Sequence, residues 1–120
     1  MIRLAPLALA LLVAPAQEVR VDVAMSNFEF TPATIQLKAH QPYLLHLTSD
    51  GGHSFAAPAF FAAATIAPED RGKIVKGRIE VGEDASVDVH FTAPGPGRYE
   101  THCTHFLHAA QGMKGEIVVS

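Results

Sequence analysis

From Val19 onward apolar and polar residues alternate along the chain, and a period of two marks strands with one buried face. Val19, Val21, Val23 and Met25 alternate with Arg20, Asp22 and Ala24. Phe28 and Phe30 continue on the opposite parity, so the pattern predicts a bulge or kink near Ser26-Asn27. Ile35 and Leu37 alternate with Gln36 and Lys38, while Tyr43, Leu45 and Leu47 share a face opposite Leu44, His46 and Thr48. Ile79 and Val81 follow Gly77, and Ala85, Val87, Val89 and Phe91 alternate with Ser86, Asp88 and His90. After the turn PGPG, Tyr99, Thr101 and Cys103 share a face, and Ile117 and Val119 close the series.

Short strands punctuated by Gly, Pro, Asn and Asp predict an all-β fold, an antiparallel sandwich. One stretch departs from the pattern. Pro58 to Ile66 (PAFFAAATI) is Ala-rich, opens with a proline suited to a first helical turn and stops before Pro68. It predicts one short helical excursion between two strands. Neither a repeat nor a low-complexity tract interrupts the chain.

The first residues read differently. Met1-Ile2-Arg3 is a short basic start, Leu4 to Val13 is apolar, and Ala14-Pro15-Ala16 matches a small-residue cleavage signal. The apolar run is shorter than the ~20 residues needed to span a bilayer. It predicts a signal peptide over 1–16, cleaved to leave a domain over 17–120, with an uncleaved anchor as the rival. The expectation is therefore a periplasmic, exported protein.

Removing Arg3 with the leader takes the 9 basic residues of the chain to 8 against 12 acidic ones, a net charge of −4 with neutral histidines. A mildly acidic chain with no basic cluster argues against a nucleic-acid partner. Export also bears on Cys103, the only cysteine. A lone thiol in an oxidising compartment has no internal partner, and metal ligation removes that liability.

Residues of ligand type surround it. His108 follows Cys103 by five residues and Met113 follows His108 by five. With a second histidine from elsewhere, a thiolate, two imidazoles and a weak thioether make the His2Cys plus axial Met set of a blue-copper electron-transfer site. His53, in the loop SDGGHSF, is placed to be that histidine. Each residue also has a bland reading: Cys103 as an inert small hydrophobe, His53 as a turn residue, Met113 as core filler. Gln111 or the carbonyl of Gly52 is an alternative for the axial position.

Other histidines divide by position. Strand parity turns His102 away from the face of Cys103, whereas His105 lies two residues on, where a second metal or an exchange of ligands stays open. HCTHFLH is also similar to the HCH-x3-H run of multicopper oxidases, but Thr104 replaces one histidine and the paired H-x-H motifs are missing. His40, His46 and His90 are expected on solvated faces or in turns, without a role. Phe106, Leu107, Ala109 and Ala110 form either an apolar rim around His108 or, for Phe106, part of the core.

The run C-x4-H-x3-G-M-x-G after Tyr99, with the upstream G-x-H-x-F loop and NFEFTPATIQL, resembles the cupredoxin family, in the spacing of its rusticyanin and auracyanin type. The likeness runs from about Val21 to Val119. It implies a Greek-key β-sandwich with one copper ion at one end, held by His53, Cys103, His108 and Met113. It also implies that Ser54 reaches the ligand loop, pairs with Thr104 and hydrogen-bonds near the cysteine sulfur. Many cupredoxins carry Asn at the position of Ser54, a departure that bears on the reduction potential.

Three functions follow as expectations. The first is a non-enzymatic carrier of single electrons through Cu(I)/Cu(II), docking transiently on redox proteins as a monomer, with the edge of His108 as its electron port. The second is a periplasmic copper chaperone, store or resistance factor. The third is an accessory module without copper.

Overall fold

Alternation fixes which side of each strand turns inward, and the inward sides of ten strands meet in one core. The computed structural model describes residues 17–120. The expected leader over 1–16 lies outside the described residues.

In chain order the strands are β1 (Val19–Ser26), β2 (Glu29–Thr31), β3 (Thr34–Leu37), β4 (Pro42–Ser49) and β5 (His53–Ala56). Helix α1 (Pro58–Ala63), strand β6 (Thr65–Ile66) and a 3-10 helix (Pro68–Lys73) follow. The chain ends through β7 (Arg78–Val81), β8 (Ser86–Thr92), β9 (Gly97–His102) and β10 (Lys114–Val119). They form two five-stranded sheets, ordered β2-β1-β4-β8-β6 and β3-β10-β9-β5-β7.

The sandwich is as expected, but its sheets are mixed rather than purely antiparallel. β1 runs parallel to β4, and β3 parallel to β10. The cause is the path of the chain, which passes from the first sheet to the second at β3, back at β4 and across again at β5. Strands laid down by such crossings meet neighbours distant in sequence, as in a Greek key.

Two local expectations are corrected. The change of parity after Met25 is a chain reversal, not a bulge: Asn27 and Phe28 form the turn, and Met25 opposes Phe30 across the β1–β2 hairpin. Both side chains point into the core, so the parity flips because the strand direction flips. The helix, in turn, stops at Ala63 rather than Ile66. Ala64 is already extended, and Thr65–Ile66 pairs with Thr92 and Phe91 of β8. Burying Ile66 against the sheet outweighs the helical preference of the alanines.

Helix α1 contributes Phe60 and Phe61 to the core. Phe60 packs edge-on against Phe91 (centroids 5.4 Å) and Tyr99 (5.4 Å), while Phe55 meets Phe30 at 5.5 Å. Phe55 belongs to β5, the strand that begins at His53, so aromatic packing anchors that strand in the core.

Outside the core, the 3-10 helix is pinned by a buried carboxylate. Asp70 accepts from Lys73 Nζ (2.7 Å), the His90 backbone N–H (2.8 Å) and His90 Nδ1 (2.8 Å). Burial pushes its pKa up, but the hydrogen bonds from Lys73 and His90 outweigh it and bring the value down to about 2. His46 is likewise bonded to Asp88. These two histidines, expected on solvated faces or in turns without a role, serve as structural tethers on the first sheet.

Candidate metal centre

The two ends of β5 and β9 bring the key side chains together. β5 starts at His53, β9 ends at His102 just before Cys103, and the two strands are paired through Ala56 and His102. The inward face of β9 carries Thr101 and Cys103 into the core, and His102 faces outward as its parity requires.

Between Cys103 and β10 the chain winds through successive turns. The His108 N–H donates to the His105 carbonyl (3.1 Å), and the His108 carbonyl accepts from Gln111 (3.1 Å) and Met113 (3.0 Å). Leu107 adopts φ 61°, a left-handed conformation costing about 1–2 kcal/mol in a non-glycine residue. Gly112 turns back with φ 103°, where a side chain would be strained, and Met113 then enters the core. The Cys103 N–H donates to the Met113 carbonyl (3.2 Å), so the loop is closed at its base.

His53, Cys103 and His108 converge, each offering one ligand atom within 4.8 Å of the others. His53 Nδ1 lies 3.2 Å from His108 Nδ1, which lies 3.4 Å from Cys103 Sγ. His53 and Cys103 are each 1 % exposed, and His108 is half-buried. His53 Nε2 lies 3.0 Å from the Asp50 carbonyl. A carbonyl only accepts, so Nε2 carries the proton and Nδ1 presents its lone pair to His108 and Cys103. Burial lowers the pKa of His53, helped by the neighbouring His108 and His105 and opposed by the Asp50 bond. The ring is thus kept neutral and ready to ligate.

This donor set fits a metal ion. Two imidazole nitrogens sharing an ion in a trigonal plane lie about 3.5 Å apart, and nitrogen and thiolate about 3.8 Å apart. The observed 3.2 and 3.4 Å are tighter by a few tenths of an ångström, within a small side-chain displacement. A soft sulfur beside two imidazoles suits zinc as well as copper, and the buried methionine at the loop base is the feature that favours copper.

The sulfur is further constrained. The Ser54 backbone N–H donates to Cys103 Sγ at 3.4 Å, with Ser54 Oγ at 3.8 Å. Ser54 Oγ accepts from the Thr104 N–H (2.8 Å) and shares a proton with Thr104 Oγ1 (2.7 Å). Ser54 and Thr104 therefore meet. Met113 is fully buried at the loop base, whereas Gln111, an alternative axial group, is exposed.

Around His108 the surface is apolar. Phe106 is 88 % and Leu107 56 % exposed, which removes the core alternative for Phe106. Phe28, from the β1–β2 turn, stands edge-on to the His108 ring at 5.2 Å. Sequence reasoning missed this contact, since the turn and the ligand loop lie on different sheets. His105 stays near but outside the converging set, bonded through Nε2 to Glu80 Oε2 (2.8 Å).

Comparison with known proteins agrees with this geometry. Residues 17–120 match the family model described as copper binding proteins, plastocyanin/azurin family. Among solved structures, the chain is similar to auracyanin B at 18% identity and a TM-score of 0.62, covering 90% of this chain and 93% of that one. It is similar to auracyanin A, a "blue" copper protein from the green thermophilic photosynthetic bacterium Chloroflexus aurantiacus, at 18% identity and TM-score 0.62, over 87% of this chain and 100% of that one. A third likeness is to the metal binding domain of the Streptococcus pneumoniae D39 Cu(I) exporting P-type ATPase CopA with Cu(I): 22% identity, TM-score 0.51, 84% of each chain. At these identities the likenesses speak to the fold. No curated protein matches the chain in sequence.

Proposed function

The chain belongs to the plastocyanin/azurin family of copper-binding proteins, and we propose that it is an exported, mononuclear blue-copper protein that carries single electrons between redox partners. His53, Cys103 and His108 hold the ion, and Met113 is its weak axial ligand. The observation that carries this reading is the convergence of His53 Nδ1, His108 Nδ1 and Cys103 Sγ at one buried point.

A bound copper ion supplies one-electron chemistry, as Cu(I) or Cu(II). The chain's own residues make that exchange easy. The three strong ligands arise from a loop closed at its base and from the first residue of a paired strand, so they hold their places in both oxidation states. The Ser54 N–H steadies the thiolate charge on Cys103. Burial of His53, Cys103 and Met113 keeps water and substrates from the site, which suits a carrier rather than an enzyme. His108 alone of the three joins the site to the surface, where exposed Phe106 and Leu107 offer a small apolar patch. A patch of that kind supports brief docking of a redox protein.

Copper handling is the second reading, favoured by the extra imidazole of His105 beside the site and by the likeness to the copper-exporter domain. Reversible voltammetry on the copper-loaded protein, paired with a Cu(I)-chelator challenge, separates the two. A carrier gives a reversible one-electron wave and retains its ion; a chaperone surrenders Cu(I) readily and has no stable oxidised form.

A further inference from the structure

Three imidazoles, not two, gather at the metal centre. The His105 ring lies 5.4 Å from that of His108 and 6.3 Å from that of His53. His105 Nε2 is bonded to the Glu80 carboxylate at 2.8 Å, and Arg78 Nε lies 3.5 Å from the other oxygen of Glu80. A carboxylate only accepts, so Nε2 bears the proton shared with Glu80, and Nδ1 is the ring nitrogen left to ligate. His53 is prepared in the same way by the Asp50 carbonyl. A carboxylate or carbonyl behind an imidazole is what fixes a metal ligand's tautomer and raises its basicity.

The site also needs a way in. His53 and Cys103 are 1 % exposed and Met113 is 0 % exposed, so an ion from solvent cannot meet them first. His108 is half-buried, and the His105 side chain is 33 % exposed. These two imidazoles are the ligand-type groups at the centre that solvent reaches.

Resting on the copper-binding reading above, we propose that His105, held by Glu80, is a capture ligand: with His108 it takes the incoming copper ion and passes it to Cys103 and His53. Capture forms bonds from His105 Nδ1 and from His108 to the ion, each using a ring-nitrogen lone pair. Transfer breaks the His105 bond and forms one to Cys103 Sγ, whose proton leaves to water, and His53 Nδ1 completes the set. No electron moves in either step. His105 is released and returns to Glu80 alone.

The test is the rate at which the full-length apo-protein takes up Cu(II) offered as its glycine complex, read as copper bound per chain against time. Colour is recorded separately. Glu80→Gln slows uptake roughly tenfold, the lower end of the effects of groups behind a metal ligand, and His105→Ala slows it at least as much. The final copper content, absorption spectrum and reduction potential of both variants equal those of the unaltered protein. Uptake at the unaltered rate in either variant overturns the proposal. So does a changed final spectrum or potential, which makes His105 a positioning residue of the finished site. Copper uptake without a blue colour in the unaltered protein refutes the carrier reading, while the relative rates still decide the role of His105.

Discussion

The backbone N–H of Ser54 donates to the sulfur of Cys103 at 3.4 Å across 49 residues of sequence. Ser54 Oγ meanwhile joins Thr104 through its N–H and its hydroxyl. One residue thus holds both the ligand sulfur and the start of the ligand loop.

Ser54→Ala keeps the backbone donor and removes the hydroxyl. A thiolate with fewer donors favours Cu(II), so the reduction potential falls. The lost bond is worth about 1 kcal/mol, which for one electron is at most about 40 mV. Voltammetry of the variant checks the sign. Urea melts of the apo-protein show a loss of about 1 kcal/mol from the freed Thr104 N–H.

Met113→Leu retains the volume at a fully buried position, so stability changes by less than about 1.5 kcal/mol. Copper stays bound through His53, Cys103 and His108. Loss of the thioether withdraws a donor from Cu(II), so the potential rises. A variant that binds no copper contradicts the weak axial role.

Much of this centre was legible before any coordinates, and the reasons are local. Half-buried strands announce themselves through alternation, and the spacing of Cys103, His108 and Met113 survives because all three lie on one short loop. Pairing was less legible. Val21 lies beside Leu45 in a parallel register, and nothing in either strand's period of two names its neighbour. β6 is concealed because Thr65 and Ile66 finish an alanine run that favours helix on its own. Asp70 is the clearest miss. A carboxylate is normally exposed, and its burial depends on Lys73 of the same 3-10 helix and on His90, which arrives from β8. Phe28 against His108 is hidden for the same reason, being a contact between sheets.

Asp70 and His90 set a window of pH stability. The Asp70 carboxyl sits at about 2 in the folded chain against 3.8 in its absence, so its stabilisation is complete above pH 3.8 and is lost as pH falls toward 2. His90 is raised above 6.5, chiefly by its bond to Asp70, so its contribution is complete below 6.5 and fades as pH rises through the folded value. The pair therefore stabilises most between these limits. Asp70→Asn costs roughly 2–3 kcal/mol near pH 5 and flattens both flanks of the profile in urea melts.

Gly115 of β10 lies against Ala33, the residue just before β3. A Cβ there would stand 2.2 Å from the Ala33 carbonyl oxygen and 2.9 Å from Thr101 Oγ1. The Ala33 carbonyl also accepts from the Glu116 N–H, at 2.9 Å, so it cannot retreat without losing that bond. Gly115→Ala is expected to cost about 2–3 kcal/mol, seen as a lowered thermal midpoint of the apo-protein.

The most direct measurement is a Cu(II) titration of the apo-protein followed by visible absorption, run beside Cys103→Ala. One copper ion per chain is expected, with an intense thiolate-to-Cu(II) band in the red that ascorbate bleaches and reoxidation restores. Cys103→Ala has no such band. Retention of the band without the thiol, or failure of the unaltered chain to bind one ion, contradicts a copper centre built on Cys103.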